Sequence, residues 1–240
     1  LRRYKDALAS YDMALSLKPD YDEALKNKGD VLQILGRHED ALVAYGKALR
    51  ANPKHAEVHN NAGVSLFALG LYADAVEAYD RAVALKPRYA PAFSNRGDAL
   101  RMLARHDDAL ASYRQALALE PALVEALANY ANTLRDMRRY GDALEQYDKV
   151  LAADPQHVKT LNNRGAVLRD LCRFPESIES LDKALALKPD YAEALYNRGA
   201  TLAELERFDE ALTSYRRALT ISPDYAVAHW NQALLLLLPL

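Results

Sequence analysis

The chain has 240 residues, half of them hydrophobic, with 31 Lys and Arg against 33 Asp and Glu and a formal net charge of -2. So even a balance offers no global attraction for a phosphate backbone or an anionic lipid surface, which sets nucleic acid and membrane aside as partners. The single cysteine, Cys172, cannot close an internal disulfide and has no metal-ligating neighbour at useful spacing, which fits a reducing compartment such as the cytoplasm.

A fixed period replaces any domain count based on length. Pro19, Pro53, Pro87, Pro121, Pro155, Pro189 and Pro223 are each 34 residues apart, and only Pro91, Pro175 and Pro239 fall outside the series. An unbroken period of this size predicts one all-α solenoid over residues 1–240, in which every unit makes the same contacts with its neighbours. With the periodic proline as position 32, residues 1–21 are the second half of a unit. Full units follow at 22–55, 56–89, 90–123, 124–157, 158–191 and 192–225, and 226–240 is a first half.

Taken in chain order, each unit reads as helix A, turn, helix B, turn. Asp20 and Asp190, each with a Glu three residues on, predict caps that start a helix A in a variant of the capping box. Within helix A, position 8 is Gly29, Gly63, Gly97, Ala131, Gly165, Gly199 and Ala233. A repeated helical Gly implies a close approach, and the small residues at position 20 (Ala7 through Ala211, with Ser177) are its expected partner. After the turn, an acid at position 19 (Asp6, Asp40, Asp74, Asp108, Asp142, Glu176, Glu210) suits the first turn of helix B. Pro175 suits the N1 site there. Tyr at position 24, replaced only by Leu181, and Ala at position 27 form an apolar stripe, and the proline at 32 stops the helix.

These residues resemble the tetratricopeptide repeat, a 34-residue helix-turn-helix with small residues at 8, 20 and 27 and Pro at 32. The departures are mild: position 4 lacks Trp, position 11 is Leu, and position 15 loses Gly at Ala104, Arg138, Cys172 and Glu206. The resemblance implies a right-handed superhelical solenoid of antiparallel helix pairs. It also implies a concave surface lined by the A helices, and a non-catalytic scaffold that binds a peptide or partner protein.

Position 6 is Asn27, Asn61, Asn95, Asn129, Asn163, Asn197 and Asn231 without exception, although Asn is a poor helix former. At 100° per residue this position lies on the arc opposite the helix B contacts, near its edge. A side-chain amide offers a donor and an acceptor that match a peptide unit, so the row can hold an extended backbone without reading its sequence. The same amides can instead bond to the adjacent helix, and the sequence leaves both roles open. The row is similar to the Asn ladder of O-linked N-acetylglucosamine transferases. That likeness implies an alternative, a substrate-recruiting arm of a larger enzyme whose catalytic domain lies outside this segment. Arg101, Arg135 and Arg169 at position 12 add a basic stripe for acidic or phosphorylated ligands, or a surface balanced by Asp136, Asp170 and Glu204 beside them. Tyr196 and Trp230 at position 5 offer rings that stack on a ligand or pack on a neighbouring helix. The carboxylate clamp for chaperone tails is not matched, since Asp30, Pro91, Asn95 and Ala128 break its pattern.

No cofactor, metal or catalytic group is expected. His38 and His106 stand where other units carry packing aromatics, His59 fills core position 4, and His55 with His59 lacks the metalloprotease order. The opening LRRYKDAL shows no targeting segment, and the closing ALLLLLPL is too short to span a bilayer. Leu234 to Leu238 cannot all face one partner, so this end is a candidate for self-association or for a chain that continues on both sides.

Overall fold

The computed structural model describes residues 2–237, and among them every regular element is an α-helix. The chain forms two compact units, Leu1–Ala126 and Leu127–Leu240. The first contains α1 (Arg2–Leu17), α2 (Asp22–Ile34), α3 (His38–Ala51), α4 (Ala56–Ala68), α5 (Tyr72–Leu85), α6 (Ala90–Met102) and α7 (His106–Leu119). The second contains most of α8 (Val124–Asp136), then α9 (Tyr140–Ala153), α10 (Val158–Asp170), α11 (Phe174–Leu187), α12 (Ala192–Glu204), α13 (Phe208–Ile221) and α14 (Ala226–Leu236). From α2 on, even-numbered helices occupy positions 1 onward and odd-numbered helices positions 17–30, so each unit is a stack of A/B helix pairs in an all-α solenoid.

Close packing of A on B rests on position 8. A methyl added to Gly63 would lie 2.6 Å from the Tyr79 ring, and one added to Gly165 would lie 2.6 Å from Leu181. The expected partner, position 20, is therefore corrected. It is the side chain at position 24 that a methyl on the glycine would meet first, and at Gly199 the position 20 carbonyl, Ala211 O, is also 3.2 Å away. Tyr45, Tyr79, Tyr113, Tyr147 and Tyr215 are each no more than 1% exposed, as is Leu181, which makes position 24 the centre of every pair. Burial pushes the Tyr215 phenol up to about 12.

The A-to-B turn repeats one geometry. The position 16 N–H donates to the position 11 carbonyl at 2.8–2.9 Å in all six turns, from Arg37 on Leu32 to Arg207 on Leu202, closing a Schellman-type end. This needs a left-handed residue at position 15. Gly36 and Gly70 supply it at φ 72° and 77°, but Ala104, Arg138, Cys172 and Glu206 adopt φ 56–59° with a side chain present.

Helix starts differ from the sequence expectation in three places. The N-caps of α2 and α12 are Tyr21 and Tyr191, and neither makes a side-chain cap bond, so Asp20 and Asp190 lie outside the helix and form no capping box. Lys18 and Lys188 instead sit over those rings, 4.9 and 5.2 Å from the centroids. Pro175 is the second residue of α11, one place further in than N1, where its missing N–H still has no intrahelical role. Because α1 begins at Arg2, Asp6 falls beyond its first turn, whereas the other position 19 acids lie within theirs. Five of those acids have a second partner: position 16 arginines close on Asp40, Asp108, Asp142, Glu176 and Glu210 at 2.6–2.8 Å, whereas Asp74 follows Leu71. Near the end of α14, Leu234, Leu236 and Leu237 are exposed, while Leu235 packs against the Tyr215 cluster. Leu238 and Pro239 lie outside the described residues.

Two outcomes follow from this packing. Arg138→Gly and Cys172→Gly are each expected to stabilise by about 0.5–1 kcal/mol in urea unfolding. Relief of a left-handed residue is worth roughly 1–2 kcal/mol and outweighs the added unfolded-chain freedom of about 0.4–1 kcal/mol. Tyr215, whose folded pKa is raised, lends stability that is complete below its ordinary value near 10 and fades as pH rises towards about 12. Absorbance of tyrosinate should thus rise together with loss of helical circular dichroism in that window, rather than before it.

Candidate functional site

The A-helix face carries the asparagine row, and the amides of Asn61, Asn95, Asn163, Asn197 and Asn231 are fastened to the preceding A helix. Asn61 Nδ2 donates to Asp30 Oδ1 at 2.8 Å and Asn163 Nδ2 to Asn132 Oδ1 at 2.9 Å, both acceptors at position 9. Where position 9 holds Val64, Ala166 or Ala200, position 5 takes over as acceptor. Asn95 donates to Asn60 Oδ1 at 3.0 Å, Asn197 to Asn162 Oδ1 at 2.9 Å and Asn231 to the Tyr196 hydroxyl at 3.2 Å. The sequence carried this alternation, but it is visible only once positions 5 and 9 are read against position 6 of the following unit.

The same acceptor joins the two helices of its own pair. Tyr45 Oη donates to Asp30 Oδ1 at 2.8 Å, Tyr113 Oη to Asp98 Oδ1 at 2.6 Å and Tyr147 Oη to Asn132 Oδ1 at 2.8 Å. Asp30 is thus a hub: it takes the Tyr45 hydroxyl, the Asn61 amide and, on Oδ2, Lys26 Nζ at 2.9 Å. Burial, reinforced by bonded Asp30, holds the Tyr45 phenol far above its ordinary value and keeps it a donor.

Exposure divides the row. Asn27, Asn61, Asn95, Asn129, Asn163 and Asn231 are partly exposed, but Asn197 is 7% exposed, enclosed by Asn162 and by Arg169 Nη1 at 3.5 Å from its Oδ1. Asn27 Oδ1 accepts from Lys26 at 3.3 Å, and Asn129 passes its backbone carbonyl to Thr133 Oγ1 at 2.8 Å. In Asn95 and Asn163 one amide hydrogen is spent on the stack and the second makes no bond within the described residues, whereas the Asn61 amide also bonds the Tyr45 hydroxyl.

The remaining candidates separate cleanly. Arg135 and Arg169 lie on this face and contact the acid beside them, Asp136 at 3.1 Å and Asp170 at 3.2 Å. Arg101 is partly buried at the corresponding place in the first unit. Tyr196 is a packing residue, its ring 5.1 Å from Tyr225 and 5.9 Å from Tyr215, whereas Trp230 on α14 is 66% exposed. His59 Nε2 bonds the Pro53 carbonyl at 3.0 Å, and His55 lies 3.4 Å from both Glu23 and Glu57. His38 and His106 bury an unbonded Nδ1, as befits rings used for packing. Among the described residues no group of His, Cys, Asp and Glu is placed to hold a metal, and no helix is long and apolar enough to cross a membrane.

A second inter-repeat register, missed in the sequence, lies between position 25 of one helix B and position 7 of the next helix A. Asp80 pairs with Arg96 at 2.6 Å, Asp148 with Arg164 at 2.8 Å and Asp182 with Arg198 at 2.7 Å, and Asp12 pairs with Lys28. Where position 25 is Gly46, position 7 is Ala62. The signal is a charge pair separated by 16 residues, not by 34.

Stacked helix pairs with a shared polar face define a helical-repeat scaffold. Tetratricopeptide repeat models match residues 1–49, 28–90, 100–163 and 156–224, and the chain belongs to that family. YrrB, described as a tetratricopeptide repeat protein with an unusual peptide-binding site, is 21% identical with a TM-score of 0.64, over 79% of this chain and 98% of that one. Pseudomonas aeruginosa pilF is 20% identical with a TM-score of 0.77, over 88% and 96%. Cut9 in its complex with Hcn1 is 19% identical with a TM-score of 0.72, over 98% of this chain and 46% of that one. At these identities the likeness is one of fold. A search of curated proteins finds no match.

Removing the hub should expose its role. Asp30→Ala is expected to destabilise by about 1–3 kcal/mol, since it strands buried donors, while Asp30→Asn, the residue used natively at Asn132, should recover most of the loss. Equal losses for the two variants in urea unfolding would remove the shared-acceptor account.

Proposed function

We propose that this chain is a non-catalytic scaffold that holds an extended segment of a partner protein on the A-helix face of each unit, chiefly through the backbone of that segment. The observation that carries the reading is the half-used amide. One N–H of Asn95 and of Asn163 is locked to the neighbouring helix, which fixes the side chain, and the other is left for a ligand carbonyl. A donor already oriented by the stack costs little further ordering on binding. Asn27, Asn61, Asn129 and Asn231 extend the row, and Arg101, Arg135, Arg169 and Trp230 border it. Asn197 and Tyr196 serve the stack. The family consists largely of interaction modules, and the peptide site named for YrrB supports a peptide or protein ligand here. An arm that recruits substrates for an appended glycosyltransferase rests on the ladder's resemblance alone.

Asn163→Ala and Asn197→Ala break the same kind of inter-repeat bond, so both should destabilise, but only the first removes an open donor. With peptides selected from an array of random extended 12-mers, Asn163→Ala is expected to weaken binding about tenfold, as for one lost hydrogen bond. Asn197→Ala should leave affinity near that of the parent at temperatures where both variants remain helical. Equal affinities for the two variants, or undiminished binding by Asn163→Ala, would refute the backbone-holding role.

A further inference from the structure

The arginines at positions 7, 12 and 16 of the second unit fall into two groups by the quality of their pairing. Position 16 and position 7 arginines are saturated: Arg139, Arg173 and Arg207 hold acids at 2.6–2.8 Å, and Arg164 and Arg198 hold Asp148 and Asp182 at 2.8 and 2.7 Å. Arg135 and Arg169 are different. Arg135 reaches Asp136 at 3.1 and 3.4 Å, and Arg169 reaches Asp170 at 3.2 Å and Asn197 at 3.5 Å. Charge-assisted bonds of good geometry run at about 2.7–2.9 Å. The reason for the poor fit is the spacing, because consecutive helix residues point about 100° apart and do not face each other. Side-chain exposures of 33% and 23% place both guanidiniums partly out of water, where a charge held by a poorly aligned partner still interacts strongly with an incoming anion. Glu193 on α12 also acts electrostatically on Arg135, but its oxygens are held elsewhere: Oε1 accepts from Asn162 at 3.0 Å and Oε2 from the Tyr191 hydroxyl at 3.3 Å.

Arg135 and Arg169 stand at the same position of α8 and α10, which touch through the Asn163 to Asn132 bond. Packed helices lie roughly 8–10 Å apart. A polyproline II chain advances about 3.1 Å per residue with three residues per turn, so its side chains at i and i+3 project from one side at roughly 9 Å. We propose that the second unit selects extended, polyproline II segments bearing anionic side chains three residues apart, one on Arg135 and one on Arg169, with Asn163 of α10 donating to the segment's backbone. This rests on the A-helix face being the ligand face. It adds a ligand class and a spacing to that reading.

Fluorescence anisotropy of labelled proline-rich nonapeptides on the full 240-residue chain tests it. A peptide with Glu at i and i+3 is expected to bind at least tenfold tighter than its i, i+1 isomer and than its Lys counterpart, and to weaken as salt rises. The double variant R135Q/R169Q should lose that tenfold advantage while keeping its helical circular dichroism and its affinity for a neutral peptide of equal length. A phosphoserine pair that binds tighter than the Glu pair assigns the anion as phosphate, and one that binds no tighter assigns it as carboxylate. Equal affinity for the acidic, neutral and basic peptides overturns the arginine role and leaves the backbone-holding face standing. Equal affinity for the two Glu spacings overturns the polyproline II register. Failure of all peptides to bind removes both readings.

Discussion

The register of the stack depends on side-chain acceptors at positions 9 and 5 of the A helices. A carboxylate or amide oxygen at position 9 takes the buried tyrosine hydroxyl of its own helix pair, and in Asp30 and Asn132 the same oxygen takes the next repeat's asparagine. Packing within a pair and register between pairs are thereby joined at one atom. A small residue at position 8, Gly29 in one pair and Ala131 in the other, leaves room for the position 24 ring, which sends its hydroxyl across to helix A. Where position 9 is apolar, the bond between repeats moves one turn earlier to position 5 and the tyrosine is relieved of that duty.

That division explains how one residue type serves two purposes. An amide has two donor hydrogens and an acceptor. The inter-repeat bond takes one hydrogen, the oxygens of Asn61 and Asn163 accept from Asn60 and Asn162 at 3.1 and 3.3 Å, and the proposed ligand would take the remaining hydrogen. Where Asn197 is enclosed by neighbours on both sides, fastening is all that is left. The charge register on positions 25 and 7 then carries part of the inter-repeat specificity away from this face, so its polar groups are not all consumed in holding the stack together.

The architecture was legible because it is written in a strict period. Proline at 32, glycine at 8 and tyrosine at 24 recur in phase, and each has a steric meaning that a single sequence exposes. What was not legible depends on pairs of residues out of phase with that period. Asp80 with Arg96 is separated by 16 residues, and Asn95 with Asn60 by 35, so neither stands out when the repeats are aligned on themselves. Helix caps were misplaced for a related reason. Asp190 has the right composition for a cap, but the chain enters α12 through Tyr191, whose ring is covered by Lys188, and backbone direction there outweighs side-chain preference. The contact of position 8 was assigned to position 20 because small residues suggest each other, whereas a large ring fills the gap that a glycine leaves.

The most direct test is side-chain NMR of the asparagine amides during titration with a selected peptide. The Nδ2 resonances of Asn95 and Asn163 should shift and gain protection from solvent exchange on saturation, while those of Asn197 remain unchanged. Shifts confined to the B helices, or an Asn197 response as large as that of Asn163, would contradict the claim that half-used amides hold the ligand.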